Sequence, residues 1–161
     1  MTAEQAAHRP FMQRAIHLAQ QGMTSGAGGP FGCVIVKDGE IIGEGHNQVL
    51  SDCDPTAHAE VVAIRRACAT LGTVDLDGCV VYTSCEPCPM CLGALYWANV
   101  GKIYYAADAQ DAARAGFDDQ MLYHEIPRPM AERRIAFERL LPEESRKIFE
   151  QYRALEGRIA Y

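Results

Sequence analysis

The sequence predicts an α/β fold, a three-layer α/β/α arrangement with helices on both faces of a mixed five-stranded sheet. Three observations point there. Strand-like and helix-like stretches alternate along most of the chain. The stretches 78–84 and 101–107 are nearly all apolar, as strands buried on both faces are. An Asp-Gly pair, Asp38 and Gly39, joins two β-branched runs, which is a strong hairpin signal. The 161 residues suit a single domain, 1–161, with a sizeable core.

Each element has its own justification. Residues 4–21 place Phe11, Ala15, Ile16 and Ala19 at helical spacing, and Gly22 is positioned to close that helix. "TSGAGGP", 24–30, is a loop. Residues 31–45 form the hairpin, and 46–54 connect it to the next element. Residues 54–72 read as a helix with Asp54 as its cap, Pro55 in its first turn and Gly72 at its end. The strand 78–84 leads into a second helix, 86–98, again with proline in the first turn. The strand 101–107 follows, then two short helices in "DAQDAARAG" and "FDDQMLYHEI". Residues 134–141 are expected as an edge strand. A final amphipathic helix, 142–156, carries Ile148, Phe149, Tyr152 and Leu155 as its stripe. Strand–helix–strand units imply parallel pairing of the later strands, and the hairpin is antiparallel, so the sheet is mixed.

Composition narrows the function. Hydrophobic residues make up 48% and charged residues 22%, ordinary for a soluble globular protein, and no apolar run is long enough to span a membrane. The N-terminal stretch lacks a charged segment followed by an apolar one, so no signal peptide is expected and the cytoplasm is the expected compartment. Seven cysteines without a secretory signal argue against a disulfide framework. Cys33, Cys68 and Cys79 sit in apolar patterns and read as buried free thiols. The net charge is −6, and Arg133, Arg134, Arg139, Arg146 and Lys147 are interleaved with Glu132, Glu138, Glu143 and Glu144. That is a solvated helix surface and no track for a phosphate backbone, so a small neutral substrate fits better than a nucleic acid.

The chemistry concentrates in "YTSCEPCPMCLGALYWA", 82–98. Cys88 and Cys91 lie one helical turn apart at a helix start, where exposed N–H groups and the macrodipole favour thiolates. His58, at the start of another helix, completes a three-ligand set of the open, catalytic kind. Cys85 is either a buried thiol at a strand end or the fourth ligand of a closed, structural site. Glu60 points away from His58 along the helix, yet its arm is long enough to reach a metal-bound water and move its proton.

"HAE" at 58–60 and "PCPMC" at 87–91 resemble the H-x-E…P-C-x-x-C signature of the zinc-dependent cytidine deaminase superfamily. The resemblance implies a cytidine deaminase-like αββαβαβ core. It implies one Zn2+ per subunit on His58, Cys88 and Cys91, and Glu60 as the catalytic proton shuttle. "GGPFGCVIV", "DPTAHAEVVAIR", the full stretch 82–98, "AGFDD" and the terminal tyrosine together resemble the bacterial guanine deaminases over essentially the whole chain. That narrower resemblance implies hydrolysis of guanine to xanthine and ammonia. It implies that Asn47 hydrogen-bonds the purine and that Asp119 accepts from its N–H edge and helps move protons. Backbone groups at Ala59 and near Ser84 would orient the base, and because purines stack well on aromatic faces a shelf is expected on physical grounds, with Phe31, Trp97 and Phe117 as candidates. It also implies a homodimer in which the C-terminal segment is swapped and Tyr161 closes the partner's pocket. Other readings stay open at this point: a deaminase of guanosine, an aminotriazine or tRNA adenosine, or a binding protein with structural zinc.

Overall fold

In the computed structural model residues 3–159 are described, and they fall into two compact units that divide after Asp119. The first unit holds α1 (Ala3–Thr24), β1 (Gly32–Lys37), β2 (Glu40–His46), α2 (Ala59–Leu71), β3 (Val80–Cys85), α3 (Pro89–Trp97), β4 (Lys102–Ala107) and α4 (Ala109–Arg114). The second holds α5 (Gln120–Glu125), a 3-10 turn at Met130–Glu132 and α6 (Pro142–Ala154).

The strand order is β2-β1-β3-β4. β1 pairs antiparallel with both β2 and β3, and β3 pairs parallel with β4, so the sheet is mixed as expected. The hairpin turn places Asp38 at φ 50 and Gly39 at φ 83, the two successive positive angles that a tight two-residue connection requires. β1 shows why the sheet is covered twice. Cys33 and Ile35 point into a core with Ala63 and Ala67 of α2 and Leu95 of α3. Val34 and Val36 point the other way, against Ala15 and Leu18 of α1. Burying one such aliphatic side chain contributes about 1.5–3 kcal/mol, so both faces of β1 are stabilising.

Several expectations are corrected. The described residues contain four strands, not five, and 134–141 is irregular. At its start the Arg134 N–H donates to Glu125 Oε2 at 2.6 Å, and just before it the Arg133 guanidinium holds the Arg128 and Ile126 carbonyls. The Arg134 N–H is thereby taken by a side chain and is not offered to a ladder. β4 is the edge of the sheet, with Tyr105 exposed, and is not buried on both faces. α1 runs through Gly22 to Thr24. α2 begins at Ala59, not beside Asp54, because the Asp54 carboxylate is taken by the Thr56 N–H at 2.8 Å and the Thr56 hydroxyl at 2.7 Å. Gly72 does end α2, at φ 65. Cys33 and Cys79 are buried as expected, and Cys68 is half-buried. No described helix is long and apolar enough to cross a membrane.

Candidate functional site

Two helix starts build the site. His58 and Cys88 are the residues immediately before α2 and α3, each with extended backbone, and neither side chain caps its own helix. Both side chains are therefore left to face each other. Cys91, one turn into α3, is buried beneath them. Cys88 Sγ lies 3.6 Å and Cys91 Sγ 3.4 Å from His58 Nδ1. A tetrahedral zinc with Zn–S of about 2.3 Å and Zn–N of about 2.05 Å holds sulfur and nitrogen about 3.6 Å apart. The spacing of the donor atoms is thus the edge length of a zinc tetrahedron, and Nδ1 is the imidazole nitrogen that faces the sulfurs.

Cys85 does not join them. The group able to hold a metal is His58, Cys88 and Cys91. The Cys85 thiol is buried against the Asp108 carbonyl at 3.5 Å, and burial pushes its pKa up to about 11. Three protein ligands leave a fourth position open, the arrangement of catalytic zinc. Hydrogen bonding from Cys91 pulls the Cys88 thiol down to about 4, and the same bond, with burial, pushes Cys91 up. His58 is raised, chiefly by its bond to Cys88. The set is electron-rich and suited to a soft divalent cation.

Glu60 stands beside this set and is 5% exposed. Its Oε1 accepts from the Thr83 hydroxyl at 2.9 Å, and the Cys91 thiol donates to Oε2 at 3.3 Å. Burial raises its pKa, which favours a carboxyl that can both take and return a proton. Thr83 carried no signal in the sequence beyond being a hydroxyl in an otherwise apolar strand.

A cavity of about 560 Å³ opens onto His58, Glu60 and Cys88. Asn47 and Phe31 line it from one direction, and Phe117 and Asp119 from the segment after α4. Asn47 is 5% exposed, and its Oδ1 accepts from the N–H groups of Gly29 at 3.3 Å and Val49 at 3.2 Å. With the oxygen committed to the backbone, the amide presents its N–H2 as the donor available in the cavity. Asp119 presents a carboxylate, raised by burial and then by the charge of Cys88. Phe31 and Phe117 meet edge to face with centroids 5.0 Å apart.

Trp97 is 75% exposed on α3 and does not line the cavity, so it is removed from the candidate shelf. Ala59 has its side chain in the core behind the cavity wall. Ser84 is buried, with Oγ accepting from the Gly32 N–H at 3.0 Å. Tyr161 lies outside the described residues. The sequence reading missed Gly28, whose lack of a side chain makes room for Asn47. A Cβ there would sit 2.0 Å from Asn47 Oδ1.

Residues 5–107 match the cytidine and deoxycytidylate deaminase zinc-binding region. The guanine deaminase of Bacillus subtilis is 53% identical over 154 residues, covering 96% of this chain and 99% of the relative. The crystal structure of guanine deaminase from Bacillus subtilis superimposes with a TM-score of 0.92, covering 96% of this chain and 98% of the other. A tRNA-specific adenosine deaminase of Aquifex aeolicus is 43% identical over 97 residues, 60% of this chain and 64% of the relative.

Proposed function

The chain belongs to the cytidine and deoxycytidylate deaminase zinc-binding family, and from that membership we propose that it hydrolyses guanine to xanthine and ammonia. The observation that carries the reading is one cavity holding a three-ligand zinc set, a buried carboxyl beside it, and a donor and an acceptor on its walls. Guanine presents two adjacent donors, N1–H and the 2-amino group, to which a carboxylate is complementary. Adenine and cytosine do not present that pair. Asp119 is the acceptor for this edge, and the Asn47 amide donates to a ring acceptor. Phe31 and Phe117 supply aromatic surface against the base.

Zinc held by His58, Cys88 and Cys91 supplies a water of lowered pKa near neutrality. Glu60 takes the proton of the water that adds to C2 and delivers it to N3, where the electrons of the C2=N3 bond move. The carboxylate then takes the remaining proton from the new C2 hydroxyl and passes it to the 2-amino group, which departs as ammonia as the C2 carbonyl of xanthine forms. Thr83 keeps one carboxylate oxygen fixed, so the other does the carrying.

A free base is preferred to adenosine in tRNA. The net charge is −6, and neither lysine nor arginine lines the cavity among the described residues. The chain acts in the cytoplasm as a homodimer, forming one functional domain per subunit with the C-terminal segment exchanged and Tyr161 over the partner's cavity. Support comes from exposed apolar surface: Tyr96 and Trp97 on α3, and the stripe Ile148, Phe149, Tyr152 and Leu155 on α6.

The test is incubation of the zinc-loaded protein with guanine, guanosine, adenine and cytosine, with ammonia and the ring product both measured. Xanthine from guanine and little from the others is the expected result. Turnover of another ring instead would remove Asp119 as the selector, and inertness toward all would return the zinc to a structural role.

A further inference from the structure

The titratable side chains on the cavity wall are unevenly signed. Glu60, Glu86, Asp118 and Asp119 are carboxyls, His58 is an imidazole committed to the metal set, and Cys85 and Cys88 are thiols. No lysine or arginine lines the cavity among the described residues. The two cysteine ligands would offset the charge of a divalent ion, so the acidic side chains set the net sign of the cavity. Glu86 is exposed at the loop between β3 and α3, and its Oε2 accepts from the Ala109 N–H at 3.2 Å, which holds its carboxylate at the start of α4. Asp118 and Asp119 come from the segment after α4, so acidic groups bound the cavity from two elements.

This charge has a consequence for the reaction proposed above, on which the inference rests. Guanine enters as a neutral molecule. Xanthine is a stronger acid than guanine because it carries a second carbonyl, and it loses a proton close to neutral pH. Ammonia takes up a proton at the same pH. The products in solution are therefore an anion and a cation. We propose that the carboxylates of Glu86 and Asp119 make the cavity discriminate between charge states, admitting the neutral base and expelling xanthine as its anion. A like charge a few ångströms from a bound anion is costly inside a protein and little felt by a neutral ring of the same shape. Product release is then driven by the deprotonation that follows chemistry, and the same device turns away phosphate-bearing purines.

The experiment is calorimetric titration of the zinc-loaded protein with xanthine and with hypoxanthine, from mildly acidic to mildly alkaline pH. Hypoxanthine lacks the 2-oxo group and stays neutral across that range. Xanthine affinity is expected to fall roughly tenfold per pH unit above its own pKa, the slope expected where only the neutral form binds. Hypoxanthine affinity should stay within about twofold over the range. At alkaline pH, raising salt to about 1 M and the variant Glu86→Gln should each strengthen xanthine binding about threefold or more, with hypoxanthine unmoved. Gln retains a side-chain oxygen for the Ala109 N–H. Equal pH profiles for the two purines would overturn the proposal, as would xanthine binding indifferent to both salt and Glu86→Gln. Because binding is read without turnover, a protein inert toward guanine that still discriminates in this way would sink the catalytic reading and leave the charge argument standing.

Discussion

The Thr83 hydroxyl donates to Glu60 Oε1 across 2.9 Å, joining the middle of the sheet to the first turn of α2. Both groups are buried, so the bond is undisturbed by water and holds the carboxyl in one orientation. Thr83→Val keeps the shape and removes the donor. Left without it, a buried carboxyl costs about 1–3 kcal/mol, so kcat for guanine should fall roughly five- to hundredfold. KM and zinc content should hold. An unchanged kcat would show that Thr83 serves packing alone.

Glu60→Gln tests the proton carrier itself. The amide oxygen can still accept from Thr83, so the fold of the site should persist, but a neutral amide neither takes nor returns a proton. Turnover should drop by about 10²–10⁴, the range for loss of a positioned acid–base group. Metal analysis of the same preparation should still find one zinc per chain. Appreciable residual turnover would move the proton-carrying role to another group, with Asp119 the first to examine.

The metal set predicts a sharp division among three cysteines. Cys85→Ala should keep its zinc, because the Cys85 thiol faces the Asp108 carbonyl and lies outside the donor group. Cys88→Ala, Cys91→Ala and His58→Ala should each lose it, since two ligands rarely retain a structural or catalytic zinc. Strong chelators should both stop turnover and lower the melting temperature, as removal of a ligand that binds only the folded state must. Zinc loss in Cys85→Ala would restore the closed, four-ligand site.

The legible part of this protein is its local chemistry. His58, Cys88 and Cys91 stood out because helix starts, thiol spacing and an accompanying Glu60 are properties of short stretches, and the structure brings them together. The hairpin was legible for the same reason, through Asp38 and Gly39. What was missed depends on contacts distant in sequence. Thr83 meets Glu60 across 23 residues, side chain to side chain, and no spacing rule reports that. Trp97 has the apolar character of a shelf residue, but it sits on the outer face of α3. Residues 134–141 have strand propensity, yet they pair with no described strand and the Arg134 N–H goes to the Glu125 carboxylate. Asp54 had the composition of a helix cap, and a turn with Thr56 competed for it successfully.

Gly28 should prove as sensitive as any polar residue in the cavity. A methyl group there would lie 2.0 Å from Asn47 Oδ1 and 2.9 Å from the Asn47 carbonyl oxygen. The carboxamide must then swing away, giving up the Gly29 and Val49 N–H groups that fix its orientation. Gly28→Ala is therefore expected to raise KM for guanine about tenfold or more, since a mispositioned donor loses binding common to ground and transition states. Zinc content should be normal. Kinetics like those of the parent would mean that Asn47 does not contact the base.

Far from the cavity, Arg14 of α1 grips Glu44 of β2, with Nε donating to Oε2 at 2.8 Å and a second nitrogen to Oε1 at 2.5 Å. The Arg14 bond holds the Glu44 carboxyl below its ordinary 4.5. A carboxyl depressed in the folded state stabilises that state fully above the unfolded pKa, and the stabilisation is lost as pH falls through the lower, folded value. Both side chains are about one-third exposed, so solvent screening limits the pair to about 0.5–1 kcal/mol. Glu44→Gln should accordingly lower the melting temperature by about 1–3 °C at neutral pH. The gap between variant and parent should stay constant down to about pH 4.5 and close below it. A gap that persists unchanged in acid would mean that Glu44 stabilises through packing of its stem against α1, and that its charge contributes nothing.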